Sequence, residues 1–376
     1  MAVYKGKSIN IESELLARVD TFHKDSKGIS YLLNTLKENE EIYIRCGYIQ
    51  SDIYRIRAWN SQNSIELKIG DIVTIHPDGR LVIAYESESS ENAFLLTENC
   101  NQNCIMCPQA PKNKPTIYYD EVMDIIKLID KSPQAIGITG GEPILFFDKF
   151  LDVIKTIRTL HPETHIQILT NGTLINKPEQ VEKLLWLCQD YATFCIPLYS
   201  SISSVHDVLV GKEGAFWKAV NAINLLSFGR AHIEIRTVIN KLNYLNLTDW
   251  AHFISMNIPC VQHVAIMGIE IIGKAKDNME QLLVEPWKYS TILEKTVRLF
   301  KRHSIPVSIF NHPCCTLPDN LRLYAVKSIS PWKVRFLPSC DKCTDRNTCG
   351  GVFFSNIKYF NNNLCNTLID GGLYNE

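Results

Sequence analysis

Three cysteines within eight residues constrain this chain more than any other feature. The stretch Cys100-Asn101-Gln102-Asn103-Cys104-Ile105-Met106-Cys107 has the spacing C-x3-C-x2-C. Thiolates at that spacing can hold three corners of an iron–sulfur cube and leave the fourth iron without a protein ligand, open to chemistry. The apolar run Ala93-Phe94-Leu95-Leu96-Thr97 just before it reads as a strand. The thiols therefore lie on a loop at the C-terminal end of a strand, where the βα-loops of barrels carry active sites. A structural zinc site with its fourth ligand elsewhere is the alternative. Zinc sites more often pair two C-x2-C units, so the spacing favours the cluster.

The whole composition fits a packed globular protein of 376 residues, 45% of them apolar, with room for one large domain and smaller additions. A formal net charge of −1 supplies no field toward nucleic acid or anionic membrane, so neither is expected as a partner. The opening Met-Ala-Val-Tyr-Lys-Gly-Lys has no apolar signal segment, and no run of ~18 apolar residues follows, so a cytoplasmic location is expected. Thirteen cysteines, an odd number, argue against a disulfide framework in such a chain. They fall into two groups, Cys100, Cys104 and Cys107, then Cys314, Cys315, Cys340, Cys343 and Cys349. Cys46, Cys188, Cys195, Cys260 and Cys365 are scattered and read as ordinary buried residues.

Residues 1–90 read as a small β-rich N-terminal domain. Ile42 to Ile49 alternates like a strand, and the segments 71–76 and 80–85 form a hairpin around Pro77-Asp78-Gly79. Its default role is to cap the next domain; recognition of a partner peptide is the other reading. The acidic, Ser-rich stretch 86–91 reads as a linker. Residues 91–305 then alternate strand and helix. The predicted strands are 93–97, 135–139, 164–170, 193–198, 232–238 and 261–267. The predicted helices are 119–130, 147–160, 178–188, 215–226, 247–256 and 286–302. Six successive β–α units imply a parallel sheet with right-handed crossovers. The expected fold is α/β, an open partial (β/α)6 TIM barrel, with a strand near Pro306–Phe310 leading into a Cys-rich extension over 306–376.

Gly140-Gly141-Glu142-Pro143 follows the second predicted strand. Two glycines let backbone approach a ligand closely, and a carboxylate can accept a hydrogen bond from an amine. Alone the motif reads equally as a strand-to-helix turn. One β–α unit after C-x3-C-x2-C, it resembles the radical S-adenosylmethionine superfamily, over roughly residues 93–310. The resemblance implies a [4Fe-4S] cluster on Cys100, Cys104 and Cys107, whose open iron is chelated by S-adenosylmethionine. Reductive cleavage there yields a 5′-deoxyadenosyl radical that takes a hydrogen atom from the substrate. Such a radical needs a dry enclosure. The resemblance also implies that Gly140 and Gly141 bring backbone close to S-adenosylmethionine, that Glu142 holds its amine, and that Asn171, within Thr170-Asn171-Gly172, lines the cofactor pocket. It further implies that Ser200 or Ser201 contacts ribose or carboxylate, that Arg236 pairs with the carboxylate, and that Gly268–Ala275 approaches adenine. A strand-borne arginine pointing into a barrel needs an anion.

Cys340-x2-Cys343-x5-Cys349-Gly350-Gly351 resembles the SPASM or Twitch extension of peptide-modifying members. This implies an auxiliary [4Fe-4S] cluster on Cys340, Cys343, Cys349 and one of Cys314 and Cys315, with Cys315 preferred. Position 353 is Phe where a full SPASM pattern continues with cysteine, so one auxiliary cluster is expected, with a zinc ribbon as the alternative. The segment Leu95 to Cys107, and the tail from Asn311-His312 through Ser328-Ile329-Ser330-Pro331-Trp332-Lys333 to Gly351, resemble His-Xaa-Ser system radical SAM maturases of the HxsC type. That implies a ribosomally made precursor peptide as substrate, a second radical SAM maturase as partner, and an electron donor such as flavodoxin or ferredoxin. A small-molecule substrate in cofactor biosynthesis and a non-catalytic metal-binding interaction protein are the rival expectations.

Overall fold

The computed structural model describes residues 3–25, 28–36, 41–47, 58–61, 65–109, 112–188, 190–258, 260–330 and 333–359. Tyr48-Ile49, Pro331-Trp332 and Cys365, all used in the sequence reading, lie outside the described residues.

The N-terminal part is β-rich, as expected, but has more strands than the two or three legible ones. Its eight are β1 (Val3–Lys5), β2 (Lys7–Ile9), β3 (Leu15–Asp25), β4 (Gly28–Asn34), β5 (Glu41–Gly47), β6 (Ala58–Ser61), β7 (Ile72–Ile75) and β8 (Arg80–Tyr85). They follow the order β1-β8-β7-β3-β4-β5-β6-β2. β1 and β2 are separated in sequence by Gly6 alone, yet they pair with the two opposite end strands. One extended segment thus bridges both ends and closes the sheet into a small barrel. The bridge is tight: the Gly6 N–H donates to the Gly79 carbonyl at 2.9 Å, and a Cβ on Gly79 would sit 2.1 Å from the Gly6 oxygen. Gly79 also has φ +85°, which completes the expected Asp-Gly hairpin between β7 and β8. Val19, Leu33, Ile42, Ile44, Trp59, Val73, Ile75 and Leu81 fill the core. The stretch expected as a linker is a tied loop, because Ser87 donates through both N–H and hydroxyl to buried Asp71, and Asn92 exchanges hydrogen bonds with Glu86.

A second sheet also has eight strands, β9 (Ala93–Leu95), β10 (Ala135–Thr139), β11 (His165–Leu169), β12 (Ala192–Pro197), β13 (His232–Val238), β14 (His263–Met267), β15 (Val307–Phe310) and β16 (Ala325–Val326). They lie in strict sequence order. The pairings β9–β10, β12–β13, β13–β14, β14–β15 and β15–β16 are parallel. This is the partial TIM-barrel class, with the lead-in strand expected near 306–310 paired as β15 and a two-residue strand added after it. The connecting helices are α1 (Tyr119–Leu128), α2 (Phe147–Leu160), α3 (Pro178–Cys188), α4 (Ser203–Val210), α5 (Ala215–Phe228), α6 (Leu247–Asn257), α7 (Lys274–Asp277), α8 (Met279–Leu282) and α9 (Pro286–Arg302). α2 shows why the pattern was legible: Phe150, Val153, Ile154 and Ile157 recur on one stripe and are all buried. Each such burial contributes about 1.5–3 kcal/mol. β17 (Val334–Arg335) and β18 (Val352–Phe353) form an antiparallel pair in the C-terminal extension.

The chain packs as two units, Met1–Thr97 with Ile117–Thr139 and Phe146–Gln167, and Glu98–Thr116 with Gly140–Leu145 and Ile168–Glu376. The sequence suggests a boundary near residue 90, but β9, β10, α1 and α2 pack with the N-terminal residues, where Arg18 donates to the carbonyl at the end of α1. Both cysteine groups belong to the second unit. Among the described residues no helix is long and apolar enough to cross a membrane.

Candidate radical-generating site

Backbone geometry fixes the cysteine loop before any ligand is considered. The Glu142 N–H donates to the Asn99 carbonyl at 2.8 Å, and a Cβ on Gly141 would sit 2.2 Å from that same oxygen. Only glycine fits at 141, so the Gly-Gly-Glu-Pro turn and the start of the cysteine loop are in direct backbone contact. Further along, the N–H groups of Asn103 and Ile105 donate to Val210 and Leu209 at the end of α4. Gly211, at φ +61°, lies against the Asn103 carbonyl at a spacing that no Cβ permits. On the other flank Lys274 N–H donates to the Cys107 carbonyl at 3.0 Å, Asn278 Nδ2 donates to the Ile105 carbonyl at 2.9 Å, and Lys274 Nζ reaches Asn103 Oδ1. The C-terminal end of Gly268–Ala275 thus clamps the cysteine loop.

None of the described cysteines forms a disulfide. Cys104 is pushed up to about 12, first by burial and then by the charges of Cys107 and Cys100. Burial also raises Cys100 and Cys107. Against these, Lys274 is the cation that favours the thiolates of Cys104 and Cys107. Three neighbouring thiols that repel one another when ionised are a site for a cationic body that deprotonates them on binding. Among the described residues no three His, Cys, Asp or Glu side chains gather as a group that could hold a metal ion. A cluster is a body of several atoms and spreads its thiolates more widely than one ion does. The donor set of this loop therefore fits an iron–sulfur cluster with three protein ligands.

Glu142 is completely buried, and burial pushes its carboxyl up to about 7. One oxygen accepts from Thr170 Oγ1 at 2.6 Å and from the Ile144 N–H at 3.1 Å; the other accepts from the Asn171 N–H at 2.8 Å. A carboxylate offers about four lone-pair positions, so one is left for an amine. Asn171 Nδ2 donates to Asn101 Oδ1 at 2.8 Å, and Thr173 joins the same net through Asn101. The turn after β11 is thereby stitched to the cysteine loop. Ser200 is buried and its Oγ accepts from the Ile202 N–H at 3.0 Å, a turn contact just before α4.

Arg236 lies on β13. Ile233, Ile235 and Thr237 of β13 are buried on the face that α5 covers, so Glu234 and Arg236 take the opposite, inner face. Arg236 Nε donates to Glu234 Oε1 at 2.5 Å. The arginine does find an anion, and it is a neighbouring residue. Glu234 also bonds His263 Nδ1 at 2.7 Å, and His263 Nε2 meets Ser308 Oγ at 2.9 Å. Despite burial, the hydrogen bond from His263 and the charge of Arg236 hold Glu234 down at about 2. Sequence reading missed this row. The Glu-x-Arg alternation was the available signal for one shared face; the His263 and Ser308 contacts depend on strand register.

The second cysteine group converges too. Cys314, Cys315, Cys340, Cys343 and Cys349 all line one cavity of about 450 Å³, together with Arg322 and Asp345. Cys349 Sγ accepts the N–H groups of Cys314 at 3.3 Å and Gly351 at 3.4 Å. A thiol hydrogen bond from Cys314 and these two donors lower Cys349 to about 6. Of the adjacent pair, Cys314 is hydrogen-bonded to Cys349. Both thiols line the cavity, because the chain makes a short 3-10 turn over Cys314–Thr316.

Comparison with known proteins gives this arrangement a context. Residues 94–227 match the radical SAM superfamily. An AdoMet-dependent heme synthase of Methanosarcina barkeri (strain Fusaro / DSM 804) is 29% identical over 168 residues, 42% of this chain and 44% of that protein. The chain thus matches less than half the length of that curated relative. Among solved structures, SuiB of Streptococcus suis superposes with a TM-score of 0.48 and 16% identity, covering 66% of this chain and 54% of that one. The structure of anSMEcpe with bound AdoMet gives 0.45 and 16%, covering 58% and 62%. HemN of Escherichia coli, a coproporphyrinogen III oxidase, gives 0.45 and 13%, covering 58% and 54%.

Proposed function

We propose that this chain, whose residues 94–227 match the radical SAM superfamily, is a peptide-modifying radical enzyme acting on a ribosomally made precursor of the His-Xaa-Ser type. The observation that carries the radical chemistry is the direct backbone contact between the Cys100–Cys107 loop and the Gly140–Pro143 turn. Cys100, Cys104 and Cys107 would hold a [4Fe-4S] cluster, and Glu142 the amine of S-adenosylmethionine. Bound there, the cluster and S-adenosylmethionine together supply a 5′-deoxyadenosyl radical by one-electron cleavage.

The remaining steps belong to the chain's own groups. Glu142, fully buried and short of one hydrogen bond, is a cation-seeking carboxylate and orients an ammonium. Asn171 and Thr173 keep the turn after β11 fastened to Asn101. Replacing a substrate C–H and an X–H by a C–X bond releases one hydrogen atom, one electron and one proton. The hydrogen atom goes to the radical. The proton is released to water. Cys340, Cys343, Cys349 and one of Cys314 and Cys315 would hold an auxiliary cluster in the C-terminal cavity, and such a cluster would take up the electron. A flavodoxin or ferredoxin supplies the reducing electron, and a second radical SAM maturase completes the pathway.

The convergence of five cysteines after residue 310 favours the peptide reading, because the sequence there resembles the extension of peptide-modifying enzymes. The heme synthase relative favours a second reading, a small-molecule substrate. The test is anaerobic reconstitution followed by S-adenosylmethionine cleavage with dithionite, with a synthetic His-Xaa-Ser peptide present or absent. The peptide reading expects two cluster equivalents of iron and a mass change in the peptide. Cleavage with no peptide change favours the small molecule; no iron and no cleavage sinks the radical enzyme.

A further inference from the structure

The residues after Cys349 do more than close the second cavity. Asn356 is buried, and beside a 3.2 Å hydrogen bond that Oδ1 accepts from the adjacent Ser355 hydroxyl its side chain serves one distant loop: Oδ1 accepts the Ile271 N–H at 2.8 Å and Nδ2 donates to the Ile269 carbonyl at 2.8 Å. Both bonds to that loop span more than eighty residues, so no local turn explains them. Two further contacts join the same elements. Lys333 Nζ pairs with Glu270 Oε2 at 3.0 Å, and Tyr359 packs on the apolar group formed by Met106, Leu209, Ile269, Ile271, Ala275 and Leu282. That group includes Met106 of the cysteine loop itself. Two residues beyond Ile271 comes Gly273, where a Cβ would lie 2.5 Å from the Cys107 carbonyl, and Lys274 N–H bonds that same oxygen.

The geometry points to Asn356 as a positioning residue that braces the Cys100–Cys107 loop from the C-terminal cysteine module. The brace runs from Cys349 through β18 to Asn356, across Ile269–Ile271, through Gly273 and Lys274, to Cys107. It rests on the proposed reading only in what the loop is for; the mechanical link stands without it. The two cysteine groups are then one device: whatever orders the second site firms the first, and disturbing the second loosens the first at a distance.

Hydrogen exchange of the full-length, anaerobically isolated protein tests the link, and iron content tests what the loop holds. Asn356→Ala removes both bonds and leaves two buried backbone groups without partners, so peptides covering 100–109 are expected to exchange about tenfold faster or more. Asn356→Asp keeps the acceptor for Ile271 and falls between. In a Cys340→Ala/Cys343→Ala/Cys349→Ala background, where only first-site iron remains, Asn356→Ala lowers bound iron and shifts the electron paramagnetic resonance signal of that site. Faster exchange confined to 269–272, with 100–109 unchanged, overturns the brace. If the wild type binds no iron at all, the radical reading falls while exchange still decides the brace.

Discussion

The two cysteine sites of this molecule hold their thiols in different ways. In the first loop burial outweighs the N–H donors that Gln102 offers Cys100 and Gln109 offers Cys107, and Cys104 is pushed up to about 12. In the C-terminal cavity two backbone N–H groups and a neighbouring thiol converge on Cys349 and bring it to about 6. The first site must be deprotonated by what it binds; in the second, the hydrogen bond that lowers Cys349 pushes Cys314 up. A metal centre loading either site therefore releases protons, and its affinity rises with pH.

The comparison breaks most completely at the ligands. Cys104→Ala is expected to abolish first-site iron and S-adenosylmethionine cleavage while C-terminal iron stays, as read by iron content and product chromatography; persistent cleavage refutes the assignment. Next comes thiolate titration of the metal-free protein by ultraviolet absorbance. One thiolate should appear near pH 6 and vanish in Cys349→Ala, whereas Cys104 stays protonated until about pH 12.

A third test concerns Glu142, raised from 4.5 to about 7. The folded state binds a proton more tightly than the unfolded chain, so this carboxyl favours folding below about pH 4.5. That favour is lost as pH rises to about 7, at a cost of about 3 kcal/mol. Urea unfolding of Glu142→Gln should show a flatter stability profile across that window; an identical slope removes the buried charge from the account. The smallest effect belongs to Thr173→Val, which deletes the hydroxyl that joins Asn101 and Asn171. Roughly 1 kcal/mol of stability is expected to go. Thermal unfolding checks it, and first-site iron should fall before C-terminal iron does.

Much of this was legible because the chemistry and the periodicity are local. Ala135–Thr139, Phe147–Leu160, His232–Val238 and Pro286–Arg302 are visible as runs of fixed period and fold where that period places them. The cysteine spacing and Gly140–Pro143 were equally plain. What stayed hidden depends on register and on distance. Leu15, Ala17 and Val19 alternate, yet nothing local shows that β3 pairs with both β4 and β7 or that Gly6 closes the sheet. The anion for Arg236 was two residues away on its own strand, but its bond to His263 exists only once β13 and β14 are aligned. Asn356 gives no signal at all in sequence, since an asparagine's partners are chosen by tertiary packing.

The bridge through Gly6 limits how the N-terminal barrel can meet another chain. A sheet recruits an extended peptide by offering a row of unsatisfied backbone groups along an end strand. Here the end strands β8 and β6 are each covered by one half of the same short segment, and those halves, Val3–Lys5 and Lys7–Ile9, are three residues long. Such edges are too short to template a fourth or fifth paired residue. At these two edges a guest peptide finds no more than three residues to pair with, so its hold there depends on side chains rather than on mere extension.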